Sequence, residues 1–176
     1  MSESKGSAHE VDSWRFTGST IGKVLAGAIP DEPKHAPIPW APFDMPLSEA
    51  RVSLLTTAGL SMKGDPPFDM EYERQNPTRG DSTFRALRAD ATEASIEANH
   101  LHIDTGYLER DINVALPLPL LHGLAEEGVV GSVAPTHYSI MGFQGADSSQ
   151  LENESAPEIA RRMKSEGVDL ALLAPV

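Results

Sequence analysis

Apolar positions are sparse and broken by proline up to about residue 47, and from Ala50 onward they gather into short periodic runs. RVSLLTT (51–57) is β-branched and apolar enough for a buried strand, and AGLSMKGDPPFD after it has the glycine and proline content of a loop. TFRALR (83–88) predicts a second short strand and Ser95 to Ile103 a third. In PLPLLHGLAEEG, Leu118, Leu121 and Ala125 fall at helical spacing with Gly128 as a stop. SAPEIARRMKSEG predicts the clearest helix: Ser155 and Glu158 form a capping-box pattern, Ile159 and Met163 share one face, and Gly167 stands at the end. VDLALLAPV (168–176) then gives a near-continuous apolar run, the pattern of a central strand in a parallel sheet. Strands alternating with helices predict a single α/β domain, Rossmann-like in a loose sense, with a mostly parallel sheet covered by helices.

Before that domain, residues 1–13 read as disordered and WRFTGSTIGKVLAGAIP as a short helix with Ile21, Val24 and Leu25 on one face, ended by Pro30. Six prolines between Pro30 and Pro46 exclude a helix or a central strand there, so the segment reads as an extended proline-rich arm with Ile38, Trp40 and Phe43 as anchors. Such an arm lies across its own domain or embraces a second subunit, the latter making a homo-oligomer. The division expected is 1–47 for helix and arm and 48–176 for the α/β domain.

Charge narrows the partners. A net charge of −12 with no basic stretch opposes binding to nucleic acid or to anionic membrane surfaces. The polar N-terminus lacks a following long apolar segment, which reads as a cytoplasmic protein without a secretory signal or spanning helix. The absence of cysteine removes disulfides, thiolate metal ligands and thiol nucleophiles from these 176 residues.

Candidate chemistry is densest in NHLHIDTGYLERD. In an extended segment His100, His102 and Asp104 point to one face, a set suited to a divalent metal such as zinc or non-haem iron, or to acid and base work on a substrate; Asp111 adds a carboxylate. The alternative is a His-x-His pair bonded to its neighbours. His137 and Tyr138, in SVAPTHYSIMGFQG, either contribute to a site or divide into a core tyrosine and a surface histidine. Lys63 and Gly64 follow the first strand in GLSMKGDPP, which matches neither the dinucleotide fingerprint nor a phosphate loop but offers a place for a substrate carboxylate. GDSTFR (80–85) reads as a turn closed by Asp81 or Ser82.

Together RVSLLTTAGLSMKGDPPFD, GDSTFRAL, HLHIDTGYLERDINVALPLPLLHGLAEEGVVGSVAPTHYSIMG and APEIARRMKSEGVDLALLAPV resemble the selenoprotein B family of glycine, sarcosine and betaine reductases, with D-proline reductase as a relative. The resemblance runs from about Arg51 to Val176. It implies reductive cleavage of a C–N bond in a small amino-acid-like substrate by a selenolate or thiolate, with electrons from a thiol or thioredoxin-type donor. It also implies a selenocysteine or cysteine directly after the last strand. LLAPV reaches one residue short of that position, which leads to the expectation of a chain stopped at a selenocysteine codon; a last strand that simply closes a small domain is the ordinary alternative. On the family reading His100, His102, Asp104 and His137 support the reaction, and Lys63, Gly64 and Tyr138 bind substrate. Two other readings stay open: a metal-dependent hydrolase or lyase built on His100, His102 and Asp104, and a non-catalytic subunit that serves assembly.

Overall fold

A computed structural model describes Thr20 and residues 41–76, 80–100, 104–145 and 147–176. The helix expected at Ile21, Val24 and Leu25 and most of the proline-rich arm lie outside the described residues. The chain divides into two compact units, Met1–Phe43 and Asp44–Val176, and the second carries all the regular strands described below.

That unit is a mixed α/β domain. Its sheet is centred on β1 (Arg51–Thr56), which pairs in parallel with β5 (Ser132–Val133), β6 (Thr136–Ile140) and β7 (Leu170–Ala174). Val52 pairs with both Val133 and Leu170, and Leu55 with both Tyr138 and Leu173, so β5 and β6 share one side of β1 and β7 takes the other. β3 (Phe84–Arg88) adds an antiparallel strand outside β6. The mostly parallel sheet of a single α/β domain is therefore as the pattern predicts.

Successive residues of β1 point to opposite faces, and each face has its own cover. Val52 and Leu54 pack with Leu118 and Leu121 of α2 (Leu118–Glu126), while Leu55 and Tyr138 pack with Ile159 and Met163 of α3 (Ala156–Ser165). Both helices end as expected, with Gly128 (φ 72°) and Gly167 (φ 68°) in the left-handed region that stops a helix.

Five features depart from the sequence reading. Three residues inside the expected loop, Leu60–Met62, form β2, which pairs antiparallel with β4 (Ile96–Ala98) in a separate two-stranded ribbon. The strand expected over 95–103 is thus shorter, ending where Asn99 turns its side-chain amide onto the Gly59 carbonyl and Ser61 Oγ. A short helix, α1 (Met70–Gln75), follows, its N-terminus capped by Asp69 accepting the Tyr72 N–H at 2.8 Å.

The capping box at Ser155 is also replaced. A π-helical turn over Leu151–Ser155 extends the helix on its N-terminal side, so Ser155 is itself helical and its hydroxyl donates to the Ser82 carbonyl at 2.7 Å. Glu158 pairs instead with Arg161 and Arg162.

The last departure concerns β7. Its run of leucines predicts a central strand, yet among the described residues it pairs with β1 alone, and Leu172 and Leu173 are 47% and 64% exposed. α2 and α3 cover β1 and β6, and neither face of β7 receives an equivalent cover from the described residues.

Candidate functional site

In parallel α/β sheets, chemistry gathers beyond the carboxyl ends of the strands, where loops leave the sheet together. Here those ends are Thr56–Thr57 after β1, Met141–Gly142 after β6 and Pro175–Val176 after β7. Backbone bonds draw them together: Thr57 N–H donates to Ala174 O at 3.2 Å, Gly59 N–H donates to Ile140 O at 3.1 Å, and Ala58 forms an antiparallel bridge with Met141. Val176 N–H donates to the Thr57 hydroxyl at 2.8 Å.

The floor of this convergence is polar, buried and bonded. Ala58 N–H donates to Thr56 Oγ1 at 3.2 Å, and Leu60 N–H to Ser139 Oγ at 2.7 Å. Asn99 bonds both Gly59 O and Ser61 Oγ. With all of these side chains buried, each bond fixes the turn that follows β1 by more than an exposed one would. Gly59 (φ 63°) has no room for a Cβ, which would lie 2.6 Å from both Asn99 O and Met141 Sδ. The result is a rigid ledge of main chain beside the ends of three parallel strands.

Of the residues singled out from sequence, His137 and Tyr138 sit in β6 but point into the two cores. Both are 0% exposed. His137 Nδ1 accepts the Leu54 N–H at 2.9 Å, and burial, followed by the neighbouring His122 charge, depresses its pKa to about 4. It is therefore neutral near pH 7 and tied to the sheet, a buried histidine rather than the surface one considered from sequence. Tyr138 meets Phe84 edge-on, with ring centroids 5.9 Å apart, and burial raises its phenol pKa.

Lys63 and Gly64 lie at the other end of the β2–β4 ribbon. Lys63 Nζ donates to Ala94 O at 2.8 Å, and Gly64 (φ 92°) has open space around it. About 13 Å of extended chain separates Lys63 from Gly59, so the two do not share the ledge. His100 is half-buried and Asp104 exposed, the latter closing a turn by accepting Gly106 N–H at 2.9 Å; His102 lies outside the described residues. Among the described residues no three histidine or carboxylate side chains are grouped to hold a metal ion. A cleft of about 160 Å³ opens beside β4, walled by Glu93, Glu97 and Glu109 over Ile96 and Leu108.

The expected turn at 80–85 is a tight construction. Asp81 accepts Thr83 N–H at 2.8 Å and Asp69 N–H at 3.1 Å, and its carboxylate faces the Arg85 guanidinium at 3.4 Å. Burial alone would raise the Asp81 pKa; the bonds from Thr83 and Asp69 and the Arg85 charge outweigh it and hold it below its usual value. Arg85 also donates to Pro66 O at 2.7 Å and Pro67 O at 2.6 Å and lies 4.2 Å over the Phe68 ring. This clamp fastens the loop after β2 to β3.

Sequence reasoning missed Thr57, Asn99, Ser139 and Gly142 as members of the ledge. The available signal was a Thr-Thr-Ala-Gly step directly after a strand, where a polar β-branched pair and a glycine mark a backbone under close approach.

Comparison with known proteins bears on the same segments. The family profile described as glycine/sarcosine/betaine reductase selenoprotein B matches residues 31–175. D-proline reductase subunit gamma of Acetoanaerobium sticklandii is 36% identical over 141 residues, covering 80% of this chain and 54% of that protein. Glycine reductase complex component B subunit gamma is similar too, 26% identical over 169 residues in Carboxydothermus hydrogenoformans (94% of this chain, 38% of that protein) and 25% over 159 residues in Symbiobacterium thermophilum (86% and 36%). The chain thus spans about half the length, or less, of these curated relatives. No solved structure matches it significantly. No helix among the described residues is long and apolar enough to cross a membrane.

Proposed function

The chain belongs to the glycine/sarcosine/betaine reductase selenoprotein B family, and from that premise we propose that it is part of a reductase subunit that cleaves a C–N bond in a small amino-acid-like substrate. One observation supports this most: the family match covers nearly the whole α/β domain, and the ends of β1, β6 and β7 meet at Thr57, Gly142 and Val176, the ledge onto which a residue following Val176 would open. No cysteine occurs in the 176 residues, so the nucleophile on this reading is a selenocysteine or cysteine following Val176. In the reaction the selenolate or thiolate attacks the carbon that bears the amine. The amine leaves with the electron pair of the C–N bond and takes up a proton. A thiol then attacks the selenium or sulfur of the adduct, and the carbon leaves with the electron pair of that bond and takes up a proton. A second thiol displaces the restored selenolate or thiolate as the two thiols become a disulfide, which supplies the two electrons.

D-proline and glycine are the substrates to try first, because the relatives' names carry them. Those names also describe subunits of complexes, so the proposal includes protein partners and a thiol or thioredoxin-type donor. The test is to sequence the source gene through the codon after Val176, then to assay its full product, with its co-encoded subunits, for thiol-dependent loss of either substrate. UGA or a cysteine codon in an open frame, with turnover abolished by iodoacetate, is the expected result. Turnover by the 176-residue chain alone would overturn the placement of the nucleophile. A full product that consumes neither substrate nor any related amino acid in the presence of dithiol would overturn the reductase reading.

A further inference from the structure

We propose that Thr57 is a positioning residue, whose hydroxyl fixes the backbone of Val176 and so sets how the chain presents the residue that follows it. This deepens, and rests on, the reductase reading above. Thr56 and Ala174 are the last register pair between β1 and β7. One step further the ladder meets Pro175, which has no N–H to give and cannot continue it. Thr57 takes over at that point with three bonds: its N–H donates to Ala174 O at 3.2 Å, its Oγ1 accepts Val176 N–H at 2.8 Å, and its hydroxyl donates to Val176 O at 3.3 Å. The side chain therefore holds both polar groups of the residue after the proline.

The opposite side of Thr57 is shaped to keep it there. A Cβ placed on Gly142 would lie 3.3 Å from Thr57 Cβ, Oγ1 and O, so glycine leaves space for this rotamer and a larger residue crowds it. Threonine is stiff at χ1, which turns that space into one fixed hydroxyl direction. Valine at 57 would fill the same volume without the two bonds to Val176. Serine would keep them. Displacement of a reacting atom by about 1 Å is enough to slow a reaction by about a hundredfold, so loosening Val176 has a measurable consequence for whatever follows it.

The test uses the full gene product with cysteine at the position after Val176, assayed in two ways: steady-state turnover, and the rate of iodoacetamide alkylation against pH, which needs no turnover. Thr57→Val is expected to lower kcat about tenfold with little change in KM and to alter the alkylation rate at its high-pH plateau, while Thr57→Ser stays within about twofold of the parent. Gly142→Ala, by crowding the same hydroxyl, is expected to repeat the Thr57→Val pattern. Thermal midpoints that fall equally for Thr57→Val and Thr57→Ser, with kcat and alkylation following stability alone, would overturn the proposal, as would a Thr57→Val protein indistinguishable from the parent. Those outcomes leave the reductase reading standing. A gene that encodes neither selenocysteine nor cysteine after Val176 would overturn both.

Discussion

Leu54 donates its backbone N–H to the Nδ1 of His137 at 2.9 Å, a side-chain bond standing where a sheet bond is missing. Between the pairs Val52↔Val133 and Leu55↔Tyr138, β1 has two residues and the facing chain has four. Ala134 and Pro135 interrupt that facing strand, so the carbonyl that a regular parallel ladder would offer Leu54 is out of place. Ser53 repairs the neighbouring position, its hydroxyl donating to Thr136 O at 2.8 Å.

The imidazole can accept that bond only when Nδ1 is unprotonated, which gives stability a pH dependence. Unfolded histidine titrates near 6.5, whereas His137 in the fold is held to about 4. Stability is therefore full above pH 6.5 and falls as pH drops toward 4, because the unfolded chain takes up the proton first, by at most about 1.4 kcal/mol per pH unit. Urea titrations at pH 7 and pH 5 should show this loss. His137→Asn, whose amide oxygen sits where Nδ1 does, should narrow the difference between the two pH values; an unchanged difference would show that His137 is not its source.

Arg85 should not tolerate its nearest relative. Lysine cannot reach Pro66 O, Pro67 O and Asp81 together or lie flat on Phe68, so Arg85→Lys is expected to cost about 2–3 kcal/mol in denaturant unfolding. The lowered Asp81 pKa adds a sign: its contribution is present above pH 3.8 and is lost as pH falls below that value. Asp81→Asn should therefore lie closer to the parent in acid than at neutral pH.

Two glycines with positive φ make an internal control. Gly59→Ala meets both the backbone penalty and a collision with Asn99 O and Met141 Sδ, for an expected loss of about 3 kcal/mol. Gly64→Ala meets the backbone penalty alone, about 1 kcal/mol, since nothing lies near its Cβ. Equal losses in thermal melts would contradict the close packing drawn for Gly59. A change in substrate KM for Gly64→Ala would support the ribbon end, with Lys63, as a substrate-binding site.

The phenol of Tyr138 is buried and its oxygen has no bonding partner among the described residues. Tyr138→Phe should leave stability unchanged or raise it by up to about 1 kcal/mol. A fall in turnover by the full protein while stability holds would support Tyr138 as a substrate-binding residue.

The histidine cluster has its own test. On the reductase reading, chelator leaves the thermal midpoint where it was. A drop of several degrees on chelation, absent in His102→Ala, together with one equivalent of zinc or iron by elemental analysis, would move the chemistry to His100, His102 and Asp104.

The local elements were legible wherever one segment carried its own periodicity. Leu118 and Leu121, and Ile159 and Met163, announced the helices, and Gly128 and Gly167 their ends, because helical spacing and left-handed glycine are properties of a few adjacent residues. β2 was not legible in the same way, since three residues are too short for a period and it exists by pairing with β4 across more than thirty residues; β4 falls inside the strand predicted over 95–103, and only its length differs.

What the sequence determined by itself is the α/β class, the family, and the order of strand and helix, all of which depend on residues near one another or on the succession of segments. Tertiary structure alone decided that His137 is a buried prop of the sheet, that β7 pairs with β1 alone among the described residues and leaves Leu172 and Leu173 exposed, and that Thr57 meets Gly142 and Val176. Each of these depends on which distant backbone lies alongside, and a residue's own neighbours in sequence carry no record of that.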